Sequence, residues 1–512
     1  MAEGNYVIAY DLGTTGNKAT LYSSMGTLEA STFVGYDTYF PHPNWAEQDP
    51  EEWWRAVCIA TKDLLEKGGI NPSQIACVCF SGQMMGCVPV TRDVKPLGRA
   101  IIWADQRAVK QAQRLTDSVG ESEVYKITGH RPSAAYSAAK IMWLMDHEKE
   151  SFSRIYKVLH AKDFVIARLT GQFVTDYSDA SGMNLFDIRR LSWSKEILLA
   201  AQIPEGILPE PRPSTDIVGS IQKDVAHEVG LLPGTPVVIG GGDGACAAAG
   251  AGVVREGSAY NYVGSSSWIG VATGQPLYDR EMRTFNWVHV VPGMYSPTGT
   301  MQAAGASYQW LRDQLCLAEV QRASVEGKSP YSVMDEEALN VPAGAGGLLY
   351  LPYLMGERSP RWNPKARGAL IGLSITHTRA HLIRAVMEGV AYNLKVILDA
   401  FLEQGARIES VRLIGGGAKG QVWPRILADV YQIPILKAAH LDEATSLGAA
   451  ITGGVGVGLF DSFDIADRLF KATEQLQPNP DNVEKYRDLY KLFNAAYSAL
   501  ENVFSELGTL RH

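Results

Sequence analysis

No run of apolar residues approaches the roughly 18 needed to cross a bilayer. The longest small-residue stretch, 245–254, is too short and too rich in Gly and Ala. Residues 1–13 show no basic segment followed by an apolar one, so no signal peptide is expected. The six cysteines form no C-x-x-C pair with later Cys or His partners, which argues against a zinc motif or a disulfide scaffold. Cys77 and Cys79 alternate within a strand-like run and read as buried reduced thiols, with a metal pair or disulfide as the alternative. A cytoplasmic protein is the expectation. Positive charge is not in excess: 47 Lys and Arg face 55 Asp and Glu, for a net charge of −8. That argues against nucleic acid or an anionic membrane as main partner. A phosphorylated small molecule stays open, because backbone N–H groups hold phosphate without net positive charge. There is no G-x-x-x-x-G-K-[ST] and no H-R-D with D-F-G, so neither a P-loop nor a protein-kinase set is present. Neither terminus offers a helix-turn-helix candidate.

Glycine, by contrast, is abundant: 50 of 512 residues, against an average of about 7 %. There is no collagen-like period, so the excess belongs to turns and close backbone contacts. The length allows two to four domains. Residues 6–10, 18–22 and 28–36 read as a strand meander around a Gly/Thr turn. Asp49-Pro50-Glu51-Glu52 is a helix start leading into 53–65, and 75–80 is a buried strand. At this helical spacing Trp53 and Trp54 read as core rather than sugar-stacking residues, and Trp193 is read the same way. A similar order recurs. Residues 237–239 run into a glycine-rich turn and an Ala-rich helix. Residues 260–263 and 268–272 flank a second turn. Thr378 caps a long helix, and 410–414 ends in three glycines. The Pro-rich stretch 204–213 reads as a loop. The whole reads as an α/β chain of two halves.

Three motifs carry candidate chemistry. In Asp11-Leu12-Gly13-Thr14-Thr15-Gly16-Asn17-Lys18, a strand-end Asp precedes a turn that offers N–H groups and hydroxyls to an anion. An Asp there suits Mg²⁺, usually through water; a plain hairpin turn is the alternative. In Gly240-Gly241-Gly242-Asp243-Gly244-Ala245, glycines let a substrate approach while Asp243 faces it as a general base, or caps a helix. Gly264-Ser265-Ser266-Ser267 is a second hydroxyl-rich turn. Two G-x-G-x-x-[GA] strings follow strands, at 240–245 and 415–420. Dinucleotide binding needs an acid about 20 residues on, and 257–278 and 430–441 contain none.

In this order the elements resemble the FGGY family of carbohydrate kinases, from Tyr6 to about Leu500. Gly368-Ala369-Leu370-Ile371-Gly372-Leu373 followed by His381-Leu382-Ile383-Arg384-Ala385-Val386-Met387-Glu388 matches the C-terminal signature. Ser137, Lys140, Trp143, Leu144, Asp146 and His147 match the N-terminal one, which departs at Ala135. Within the family the motifs are closest to xylulokinases, at Ser81 to Met84, Trp103 to Arg107, Gly240 to Asp243, Pro352 to Arg358 and Gly415 to Lys419.

The resemblance implies the two-domain sugar kinase/actin/heat-shock ATPase superfold, each domain on a ribonuclease H-like mixed sheet with the active site in the cleft between them. Residues 1–250 would carry the sugar side, the first phosphate turn and the catalytic Asp. Residues 251–512 would carry the second phosphate turn and the adenosine site. The implied reaction moves the γ-phosphoryl group of ATP, with Mg²⁺, to a primary hydroxyl of a ketopentose, D-xylulose before others. Another ketose, a polyol or a sugar acid is the alternative, and a non-catalytic sugar- or nucleotide-binding regulator a minor one. Asp243 would be the catalytic base. Asp11, Gly13, Thr14, Thr15 and Lys18 would meet the β/γ-phosphates, and Gly264 and Ser265 would form the second turn. Gly416, Gly417, Ala418 and Gln421 would contact adenosine. Gln83, Met84, Met85, Trp103, Asp105 and Asp243 would face the sugar. Asp11 and Asp243 would hold Mg²⁺ through water. A homodimer is also implied. Two positions depart from the xylulokinase pattern: Met85 stands where His is usual and Gly244 where Asn is common. Both remove polar reach from the sugar pocket.

Overall fold

The computed structural model describes residues 5–438 and 443–509. It is built on two mixed sheets. In the first, β1 (Tyr6–Leu12) and β2 (Gly16–Ser23) pair around the Gly/Thr turn, and β3 (Leu28–Gly35) completes the meander. The Asp49 carboxylate accepts the Glu51 N–H and starts α1 (Pro50–Gly68), which Gly69 ends in the left-handed region. Trp53 and Trp54 are buried on α1, and Trp193 is buried as well. β4 (Ile75–Gly82) is buried at every position, as a central parallel strand requires. Helices α2 (Ser137–His147), α3 (Ala161–Thr170) and α4 (Tyr177–Ser181) follow. Then come β5 (Ile217–Ser220), β6 (Pro236–Gly242) and α5 (Asp243–Gly250). The spatial order is β5-β6-β4-β1-β2-β3.

The second sheet contains β7 (Ala259–Val263), β8 (Ser267–Val271), β9 (Phe285–Val288) and β10 (Tyr295–Met301). After helices α6 (Gly305–Leu315), α7 (Pro330–Leu339) and α8 (Arg379–Glu403) it continues with β11 (Val411–Ile414). α9 (Val422–Tyr431), β12 (Ile435–Ala438), α10 (Ala444–Gly456) and β13 (Ala472–Leu476) complete it. Its order is β9-β10-β8-β7-β11-β12-β13. The two sheets share one plan: an antiparallel meander, two parallel strands, then an antiparallel edge. β9 is the extra edge strand of the second. The stretch 204–213 is not all loop: Glu210–Arg212 pairs in parallel with Val174–Asp176. All six cysteines are buried and unpaired.

Helices α5 and α10 lie between the sheets. Ala245, Cys246 and Ala249 of α5 pack with Ala449, Ala450 and Ile451 of α10 against Val7, Ala9, Cys77 and Cys79 of the first sheet. Ala248 and Ala444 pack with Tyr260 and Ile414 of the second. The helices touch backbone to backbone. A Cβ on Gly250 would stand 1.8 Å from the Ala444 carbonyl oxygen, and one on Gly448 1.8 Å from that of Cys246. Gly448→Ala is therefore expected to cost about 1–3 kcal/mol or more, read as a lower urea midpoint. Gly206→Ala, which meets nothing within 4 Å, should stay within about 0.5 kcal/mol of the parent. Equal effects would contradict the close crossing.

Candidate active site

The carboxyl ends of β1, β4 and β6 open together. Asp11 is in register with Ser81, Gly241 with Ser81, and Gly242 with Gly82. A crevice at strand carboxyl ends is where open α/β sheets receive ligands. Asp11 stands at the end of β1, and Ser81 Oγ donates to its Oδ1 at 3.0 Å. Asp243 is the first residue of α5 and not its N-cap, which is Gly242; its Oδ1 accepts the Gly244 N–H at 2.7 Å. Burial raises the Asp243 pKa to about 7, and the charges of Asp11 and Asp179 add to this against the Gly244 N–H. Burial likewise raises Asp11 to about 6, opposed by Ser81 and Lys18 and reinforced by Glu443. Lys18 Nζ pairs with Glu443 at 2.6 Å, just before α10. Two desolvated carboxylates that repel each other are a donor set fitted to a hard divalent cation with oxygen ligands.

The first turn is pinned on several sides. The Gly13 N–H donates to the carbonyls of Asp11 and Gly16. Gln48 Nε2 donates to the Thr14 carbonyl at 2.6 Å, and the half-exposed Trp103 donates Nε1 to Thr14 Oγ1 at 2.9 Å. Thr15 is exposed. The second turn, at Gly264 and Ser265, is tied to the start of α6: the Gly264 carbonyl accepts from Gly305, and that of Ser265 from Ala304 and Ala306. Beside it opens a cavity of about 650 Å³, whose walls include Gly264, Ser265, Tyr308, Leu339, Met387, Gly416, Gly417, Gln421 and Trp423. The Tyr308 hydroxyl is buried there without a hydrogen-bond partner among the described residues. Asp335 of α7 accepts the Gln421 and Val422 N–H groups and fixes the glycine turn. Ala418 is the exception in this set: it packs against the second core, while Lys419 and Gly420 line the cavity.

The opposite wall is largely apolar. Met84 lies over Gly242, where an added Cβ would stand 2.6 Å from its Sδ. Met84, Tyr136, Phe285 and Trp287 form one cluster, with Met85 and Trp362 packed on it. His130 Nδ1 lies 3.0 Å from the Tyr136 hydroxyl, and burial lowers its pKa to about 3, so it is neutral. Sequence reading missed Tyr136, His130, Phe285 and Trp287, which come from distant stretches and carry no spacing signal. Two expected sugar contacts are turned elsewhere. Asp105 is fully buried; its oxygens accept from Arg107 and, at 2.7 Å, from the Ala46 N–H, so the carboxylate faces inward. Gln83 is almost fully buried and donates Nε2 to Gln48 Oε1 at 2.7 Å.

Two sheets of one plan, with paired carboxylates at one end and glycine turns at the other, define a two-domain α/β kinase of the sugar kinase/actin-like type. The N-terminal domain of the FGGY family of carbohydrate kinases matches residues 6–250, and its C-terminal domain residues 259–457. The chain belongs to that family. It is 32 % identical over 509 residues to a gluconokinase of Bacillus subtilis, covering 98 % of each chain. It is 32 % identical over 507 residues to a xylulose kinase of the same organism, covering 99 % of each. The structure of a ligand-bound xylulose kinase from Lactobacillus acidophilus superposes with a TM-score of 0.91 at 27 % identity, covering 98 % of this chain and 99 % of that one.

Asp11 and Asp243 both bind protons more tightly in the folded protein than in the unfolded chain. Folding therefore takes up protons between about pH 4 and 7, and this pair's contribution to stability falls as pH rises through that window. Asp243→Asn removes the larger penalty. In metal-free buffer its Tm gain over the parent should be greater at pH 8 than at pH 5. An equal gain at both would contradict the desolvated pair.

Proposed function

We propose that this carbohydrate kinase phosphorylates a primary hydroxyl of a ketopentose, converting D-xylulose to D-xylulose 5-phosphate. The observation that carries this reading is Asp243: a carboxylate at a strand-to-helix junction, with a pKa raised to about 7, between the Met84 wall and the Asp11 turn. Asp243 holds the acceptor hydroxyl and takes its proton. Asp11 and Asp243 are the carboxylates that would hold Mg²⁺. Gly13, Thr14, Thr15 and Lys18 line the β/γ-phosphates from one side, and Gly264 and Ser265 from the other. Gly416, Gly417 and Gln421 position adenosine in the 650 Å³ cavity. Met84, Met85 and Trp103 border the sugar. ATP and Mg²⁺, when bound, supply the phosphoryl group and the charge neutralisation that such transfers depend on. The boundary near residue 250 divides the acceptor side from the nucleotide side.

A neutral acceptor suits a wall of thioether and aromatic groups. Relatives named xylulose kinase support the same choice. A sugar acid such as gluconate is the second reading, after relatives named gluconokinase. One observation favours it: the half-buried Arg358 stands near Tyr136 of this wall, its charge opposing the rise that burial gives the Tyr136 pKa, and it makes no ion pair among the described residues. Its guanidinium is a fitting partner for a carboxylate.

ADP release measured against D-xylulose, D-gluconate, other ketoses and polyols separates the readings. The highest kcat/KM is expected with D-xylulose; highest activity with D-gluconate would replace it by the second reading. In the same assay Asp243→Asn should lose at least about 100-fold in kcat while ATP KM holds. Near-normal turnover would remove Asp243 from the role.

A further inference from the structure

Lys140 is a fully buried lysine that makes no ion pair among the described residues. It lies one turn into α2. Its Nζ donates to the Met85 carbonyl at 2.7 Å and to the Ala135 carbonyl at 2.6 Å. Burying an ammonium without a paired carboxylate is costly; burial lowers its pKa to about 7, with Arg107 adding to this and Cys87 and Asp105 opposing it. What it holds is unusual in turn. Met85 has φ 63°, the left-handed region that residues with a Cβ seldom occupy. The next carbonyl, that of Gly86, accepts Ser137 Oγ at 2.7 Å from the same helix end, and Ser137 Oγ lies 3.2 Å from His160 Nε2. Outside these two carbonyls, the loop is anchored by the Gln83 N–H on the Leu12 carbonyl and the Cys87 N–H on that of Ile101.

We infer that Lys140 is a positioning residue for the acceptor pocket: it pins the Met85 carbonyl, holds that residue left-handed, and so sets the Met84–Met85 wall. This rests on the reading that the wall borders the acceptor sugar. The clamp acts on the loop backbone and touches neither the Asp11 turn nor the 650 Å³ cavity. It should therefore govern acceptor binding and leave ATP binding alone. A glycine at position 85 adopts φ near 63° without penalty, so it should need the clamp less.

The test is a cycle of Lys140→Met, Met85→Gly and the double variant. KM for the best acceptor, KM for ATP and Tm are measured on each. Lys140→Met should raise acceptor KM at least about tenfold, as loss of a charge-assisted hydrogen bond allows, with ATP KM within about twofold. In the Met85→Gly background the same change should cost less than about threefold. An undiminished cost in that background, or an equal rise in ATP KM, overturns the clamp. Coupling in Tm with acceptor KM unchanged in every variant keeps the clamp but overturns its link to the acceptor, and with it the reading of the wall. Should Lys140→Met not fold, Ser137→Ala frees only the Gly86 carbonyl and should show the same KM split at smaller size; no split then overturns the proposal.

Discussion

Helices α5 and α10 cross with their backbones in contact, and the rest of the molecule is arranged around that crossing. Neither Gly250 nor Gly448 has room for a methyl group. Alanines fill most of the remaining faces, one set against each sheet. Small side chains bury little area per residue, so the helices rely on close approach and continuous dispersion contact. Asp243 opens the first of these helices, and Glu443, which holds Lys18, stands just before the second. The crossing therefore fixes two acidic groups within electrostatic reach of Asp11.

That placement makes the cleft electrostatically unfinished. Burial, with the charges of Asp11 and Asp179 added, favours the protonated form of Asp243; burial and Glu443 do the same for Asp11, and Lys18 is already engaged. Such a site gains from a cation and from polyphosphate that brings one. The net charge of −8 fits the same picture: phosphate would meet N–H groups, hydroxyls and Mg²⁺ rather than a basic patch. The apolar wall around Met84 is built differently. Its shape comes from aromatic packing and from backbone carbonyls gripped by α2.

Much of this was legible in the sequence, because backbone demands leave marks. The Asp49 cap, the strand pair around Gly13–Thr15, the buried run of β4 and the glycines after Ile239 and Ile414 each impose residue types that can be read directly. So does the alternation of strand and helix that repeats in the second half. Side-chain direction was less legible. The family resemblance implies that Asp105 faces the sugar, yet Arg107 two residues on captures its carboxylate. Ala418 sits in a cavity-lining turn but points to the core. Tyr136, His130, Phe285 and Trp287 meet only through tertiary packing, and no local pattern links them. The left-handed Met85 was equally hidden, since nothing in Gln83-Met84-Met85-Gly86 requires it until Lys140 is placed behind the loop.

The central claim is that Asp243 acts as a base in one direct transfer and never carries the phosphoryl group itself. The stereochemical course at phosphorus decides this. With ATP made chiral at the γ-phosphorus by oxygen isotopes and sulfur, a single in-line displacement predicts inverted configuration in the sugar phosphate. Retained configuration would mean an even number of displacements, hence a phosphorylated enzyme group, and would contradict the account.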